Sequence, residues 1–149
     1  MLSECRRYRY ALWRVWEPAE PWVLFIGLNP STADETSDDA TIRRCMGFAK
    51  AWGYGGMAVA NLFGVRSTDP KQLPMIPDPI GPQNDDWLTR LYAGAEITLA
   101  AWGAGGKFLD RGEAVAAKLG SLHCLGRTMC GQPRHPLYMP ARSKPEKFC

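Results

Sequence analysis

At 149 residues, of which 46% are apolar, the chain has the length of one globular domain, residues 1–149, and enough apolar side chains to build one core. Its 15 glycines and 12 prolines stay below the roughly 25–30% that marks low-complexity disorder, and its longest apolar run, Trp22–Leu28, is far shorter than the ~18 residues of a membrane span. A net charge of +3 is too small to argue a nucleic-acid partner by itself, so membrane, fibrous and disordered classes fall away while enzyme and binding module remain.

At the N-terminus, Arg9 and Arg14 stand where a secretory core would be uncharged, which predicts a cytoplasmic protein. From Tyr8 to Trp16 aromatic and β-branched residues alternate with arginines and predict an edge strand. Glu17–Pro21 is a turn, and Trp22–Leu28 reads as a strand buried on both faces. Asn29–Asp34 follows as a polar turn at the carboxyl end of that strand. Asp38 or Asp39 can cap a helix whose apolar positions Ile42, Cys45, Met46, Ala49 and Trp52 recur at spacings of three and four.

Gly53–Gly56 ends that helix, Met57–Leu62 is the next apolar strand, and Arg66–Pro70 is another polar loop. Leu73–Pro82 is a Pro-rich surface connection, and Trp87, Leu88, Leu91 and Tyr92 make a short helical face. Ile97–Ala101 is a third buried strand, and Trp102–Gly106 turns into a helix running through Phe108, Val115 and Leu119. Leu122–Leu125 is the last strand. Strand and helix alternate, which predicts an α/β domain with a mostly parallel sheet and helices on both faces.

In such sheets ligands bind outside the carboxyl ends of the strands. The residues there are Asn29, Ser31, Thr32 and Asp34 after the first buried strand, Asn61 and Arg66 after the second, and the Gly-rich Trp102–Gly106 after the third. Asn, Ser and Asp also cap and turn without any further role, but three such loops share one rim. His135, in a loop closed by Pro133 and Pro136, adds the side chain that titrates nearest neutral pH. The turn Gly103–Gly106 lacks the spacing of a phosphate loop and reads as a close-packing turn. Five cysteines with scattered spacing predict free thiols. His123, Cys124, Cys130 and His135 lack the spacing of a zinc site, so neither metal nor cofactor is expected.

The stretches Phe25–Asp34, Asp39–Cys45, Ala60–Phe63, Ala101–Gly103 and Pro133–Tyr138 together resemble the bacterial and phage family called domain of unknown function 1643. More distantly, Val23–Ser31 is similar to the first motif of the uracil-DNA glycosylase superfamily, a strand ending in Gly-x-Asn-Pro, and His135-Pro136 is similar to its late His-Pro motif. Asn61, five residues before Arg66, resembles its Asn-x-x-x-x-Arg stretch.

That likeness implies a three-layer α/β/α sandwich and hydrolysis of an N-glycosidic bond, with a base removed from DNA or from a nucleotide. Asn29 would position the attacking water, with Asp34 as the nearby carboxylate, and His135 would stabilise the departing base. Asn61 would read the base edge, Phe63 would stack on it, and Ser31, Thr32, Arg66 and Tyr138 would complete the binding surface. The clustered cysteines of the iron–sulfur members are missing, so no cluster is implied. The alternative is a non-catalytic module that binds a base or nucleotide.

Overall fold

Trp22–Gly27 forms β2, a strand whose four middle residues are buried on both faces. The computed structural model describes residues 1–149. In chain order the elements are β1 (Leu12–Val15), β2, α1 (Ala40–Ala51), β3 (Gly56–Asn61), α2 (Asn84–Gly94), β4 (Ile97–Ala100), α3 (Arg111–Leu119), β5 (His123–Cys124) and β6 (Glu146–Lys147). Short 3₁₀ segments cover Pro70–Met75, Gly103–Asp110 and Pro136–Tyr138.

The strands form one sheet in the order β1-β3-β2-β4-β5-β6. The central four are parallel, while β1 runs antiparallel to β3 and β6 antiparallel to β5. The fold is therefore α/β with a mixed sheet. The antiparallel β1 edge follows from the chain: Glu17–Pro21 is too short for the crossover of a dozen or more residues that joins parallel strands.

Alternation along the central strands divides the core in two. Val23, Phe25, Met57, Val59 and Leu99 pack with Ile42, Cys45, Phe48 and Ala49 of α1, whereas Leu24, Ile26, Ala58 and Ala60 pack with Leu88 and Leu91 of α2 and Val115 of α3. Helices thus lie on both faces of the sheet. Asp39 caps α1, its Oδ1 accepting the Ile42 N–H at 2.9 Å, which satisfies a donor the helix itself cannot.

The edge strand expected over Tyr8–Trp16 is regular only over Leu12–Val15, and two further segments differ from the periodicity. The helix expected through Phe108 begins only at Arg111, because Phe108 is extended (ψ 125°) and Leu109 and Asp110 are left-handed (φ 56° and 51°). The strand expected over Leu122–Leu125 keeps only His123–Cys124, since Leu122 exchanges backbone hydrogen bonds with Phe148 and Cys149. No helix is long and apolar enough to cross a membrane.

Candidate functional site

The chain passes from β2 through α1 to β3 on one side, then through α2 to β4 on the other side of β2. Strand order reverses about β2, and such a reversal opens a crevice at the carboxyl ends. A cavity of about 220 Å³ lies there, walled by Gly27–Ser31 after β2, Asn61 at the end of β3 and Trp102 after β4. Arg9, Asp39, Ile42, Ser67 and His135 close it from neighbouring loops and from α1. At that volume it admits a single small ring, being under the roughly 300 Å³ at which drug-sized sites begin.

The loops after β2 and β3 are laced together, which sets the side chains of both. Leu62 and Phe63 N–H donate to Gly27 and Leu28 carbonyls, and Ser67 N–H donates to Pro30 O, all at 2.9 Å. Asn29 Nδ2 donates to Ser67 O at 2.9 Å and to Pro30 O at 3.2 Å. Both amide hydrogens are used, so Asn29 keeps its Oδ1 as an acceptor.

Asn61 pairs in register with Gly27, and a Cβ at position 27 would stand 2.8 Å from Asn61 Oδ1. Glycine is what lets that amide lie against the end of β2. Asn61 is only 3% exposed, and its Nδ2 has no hydrogen-bond partner. A buried donor left unpaired costs about 1–3 kcal/mol, so an acceptor atom in the cavity would be bound strongly. Behind it, Asn84 Nδ2 donates to the Asn61 and Leu62 carbonyls at 2.8 and 3.1 Å, and Arg111 Nε to Leu62 O at 2.9 Å.

The loop bearing His135 is pinned from two sides. Gly103 N–H donates to Pro133 O at 2.9 Å, the Trp102 indole to Gln132 Oε1 at 3.1 Å, and the Arg44 guanidinium to the Met139 carbonyl. His135 Nδ1 accepts the Leu137 N–H at 3.2 Å, which leaves the proton of the neutral ring on Nε2. Burial lowers the imidazole pKa, with Asp39 opposing in part. The ring is held as a neutral donor.

Arg9 and Asp39 set the electrostatics. Arg9 is 3% exposed; its guanidinium donates to Ala33 O at 3.0 Å, yet its Nε meets no acceptor. Burial lowers its pKa to about 10, Asp39 working against the shift, so it stays a cation at neutral pH. Asp39 accepts from Ser31 Oγ at 3.0 Å through the oxygen the helix cap does not use. Arg9, Asn61 and His135 bring donor groups to the lining of the cavity, where Asp39 is the one carboxylate and is already engaged. Such a set suits a ligand rich in carbonyl oxygens or one that develops negative charge.

Asn29, Ser31 and Asn61 after the strands, and His135 from its Pro-bounded loop, line one cavity. Thr32 and Arg66 line an adjoining groove instead, with Ser31 common to both. Tyr138 is 79% exposed, its ring 5.8 Å from that of His135 and outside the cavity wall.

Two expectations are corrected. Asp34 does not face the cavity: its Oδ1 accepts the Thr36 and Ser37 N–H groups at 2.9 and 2.8 Å, an Asx turn that draws the carboxylate outward and lowers its pKa. Phe63 is fully buried, 5.4 Å from the Phe108 ring, because the residue after Leu62 turns into the core. The aromatic wall is Trp102. Arg9 and Asp39 were not foreseen as site residues, since a polar residue in an arginine-rich strand and a helix cap carry no sign of a shared cavity.

No curated protein compared with the chain matches it, and neither does any solved structure. Residues 9–137 match the family described as Protein of unknown function (DUF1643). That span takes in β1 through the His135 loop and every wall of the cavity. The chain belongs to the DUF1643 family.

Proposed function

We propose that the chain hydrolyses an N-glycosidic bond, releasing a base from DNA or from a nucleotide, and that its fold is a distant, three-layer version of the uracil-DNA glycosylase superfamily. The observation that carries this is the convergence of Asn29, Asn61 and His135 on one ring-sized cavity at the strand ends. Asn29 Oδ1 orients a water toward the anomeric carbon. The carbon–nitrogen bond breaks with its electron pair passing to the base, water supplies hydroxyl to the carbon, and the water's remaining proton goes to the departed base. His135 Nε2–H and the Arg9 cation stabilise the charge that develops on the base, where fixed donors contribute most. Asn61 Nδ2 pairs with a base carbonyl, and Trp102 forms the apolar wall.

A second reading is a module that binds a base or nucleotide without turnover. It is favoured by the carboxylates: Asp34 is turned into its own loop, and both oxygens of Asp39 are engaged. Asp34 lies outside the cavity, and the one carboxylate that lines it is already held by the helix cap and Ser31.

Release of free base from uracil-containing, mismatched and modified oligonucleotides, single- and double-stranded, and from nucleosides and nucleotides, decides between them. Asn29→Ala and His135→Ala are expected to slow release about 10²–10³-fold with little change in affinity. Asn61→Ala is expected to weaken binding and blur base choice. Binding without release by the native chain would establish the module, and absence of both would end either reading.

A further inference from the structure

A wider, open groove of about 550 Å³ adjoins the cavity and shares Ser31, Ser67 and Thr68 with it. Three arginines line it, Arg6 and Arg7 from the segment before β1 and Arg66 from the loop after β3, together with the Thr32 hydroxyl. Ile76 is its one apolar side chain.

Charge in the groove is only partly compensated. Arg6 meets Glu35 at 3.2 Å and Asp34 at 3.9 Å. Arg7 and Arg66 have no carboxylate within ion-pair distance. Arg7 donates to Pro77 O at 2.7 Å and Arg66 to Arg6 O at 3.4 Å, so both are tethered by carbonyls that leave their charge in place. The field of Arg66 reaches the buried Arg9 and opposes its protonation. Cations gathered this way repel one another until an anion joins them. Guanidinium forks and hydroxyls are the donors that match a phosphate group.

Position selects the kind of phosphate. Ser67 lines the groove and its carbonyl also anchors Asn29 in the cavity, so a ligand seated in both would carry its ring and its anion on adjoining units. We propose that this groove is a phosphate subsite, and that the ligand is a nucleoside phosphate whose base enters the cavity, rather than a free base or nucleoside. The inference rests on the base-binding reading of the cavity. The phosphate is either the terminal group of a mononucleotide or a phosphodiester of a nucleic-acid strand.

Calorimetric titration of the full chain with inorganic triphosphate, a panel of nucleosides, their 5′-monophosphates and a short single-stranded oligonucleotide tests this. A monophosphate is expected to bind at least about tenfold more tightly than its nucleoside, the worth of one charge-assisted contact. In the double variant Arg7→Gln/Arg66→Gln the two are expected to bind within about twofold of each other, whereas Arg66→Lys keeps part of the difference; thermal unfolding verifies that each variant is folded. An oligonucleotide that binds more tightly than the monophosphate, with a salt dependence that shrinks in the double variant, identifies the strand as the source; the reverse order identifies the mononucleotide. Equal affinity for nucleoside and monophosphate in the native chain overturns the subsite and leaves the cavity reading standing. Binding of triphosphate with no binding of any nucleoside or nucleotide overturns the nucleoside-phosphate ligand and the base reading of the cavity together.

Discussion

His135 is kept neutral by two effects of the same sign: burial disfavours the imidazolium, and the Leu137 N–H occupies Nδ1. The ring therefore titrates below its ordinary 6.5 when folded and near it when unfolded. In the interval just under 6.5 the unfolded chain holds more protons, so this residue's contribution to stability is full above that value and is lost as pH falls. Urea unfolding of the native chain and of His135→Gln, compared at intervals between about pH 5 and pH 8, is expected to give a difference that grows with pH and then levels off near 6.5. A difference that does not vary with pH would contradict the assignment. Asn29, Asn61 and His135 were legible in the sequence because each follows a strand or sits in a Pro-bounded loop. Arg9 was not, since the burial that makes it a site residue comes from elements distant in the chain.

The turn after β4 shows how an element positions a side chain. Trp102 is buried between Gly106 and Gly112, where added Cβ atoms would stand 2.1 Å from Cδ1 and 2.9 Å from Nε1 of the indole. The glycines are there for close packing, as the lack of phosphate-loop spacing suggests. Gly106→Ala must displace the indole, and we expect it to destabilise the protein by about 1–3 kcal/mol and to weaken ligand binding through the cavity wall. Three residues after Gly106 the backbone is strained: Leu109 is left-handed and 60% exposed. Leu109→Gly relieves about 1–2 kcal/mol of backbone strain against up to ~1 kcal/mol of added unfolded-chain freedom, so a small rise in thermal midpoint is expected. A lowered midpoint would show that Leu109 has a packing role its exposure hides. Helical periodicity was silent about this kink because Phe108, Val115 and Leu119 keep helical spacing across it.

At the scale of the molecule, the middle of the sheet and its edge differ in support. β2 pairs with strands on both sides and packs against helices on both faces, whereas β6 is two exposed residues paired on one side with β5. Native-state hydrogen exchange is expected to find β2 and β3 amides opening only with global unfolding, and β6 amides opening in a lower-energy, local event. Equal protection of β6 and β2 would refute that order. The parallel centre was readable because continuous apolar runs such as Trp22–Leu28 mark strands buried on both faces. The edge strand β6 was not, since Glu146–Lys147 is two exposed charged residues with no apolar alternation, and its place is set by pairing with β5.

By itself the sequence determined the α/β class, the central strands, the capped helix α1 and the polar residues at the strand ends, because those follow from local periodicity and turn chemistry. Only the tertiary structure decided which polar residues share a cavity. Asp34 and Asp39 are five positions apart and chemically identical; one is drawn outward by backbone N–H groups of its own loop, the other is turned toward Ser31 by the helix it caps. Phe63 and Trp102 both follow strands, yet Phe63 enters the core and Trp102 walls the cavity. Such outcomes rest on contacts between residues far apart in the chain, which local spacing does not encode.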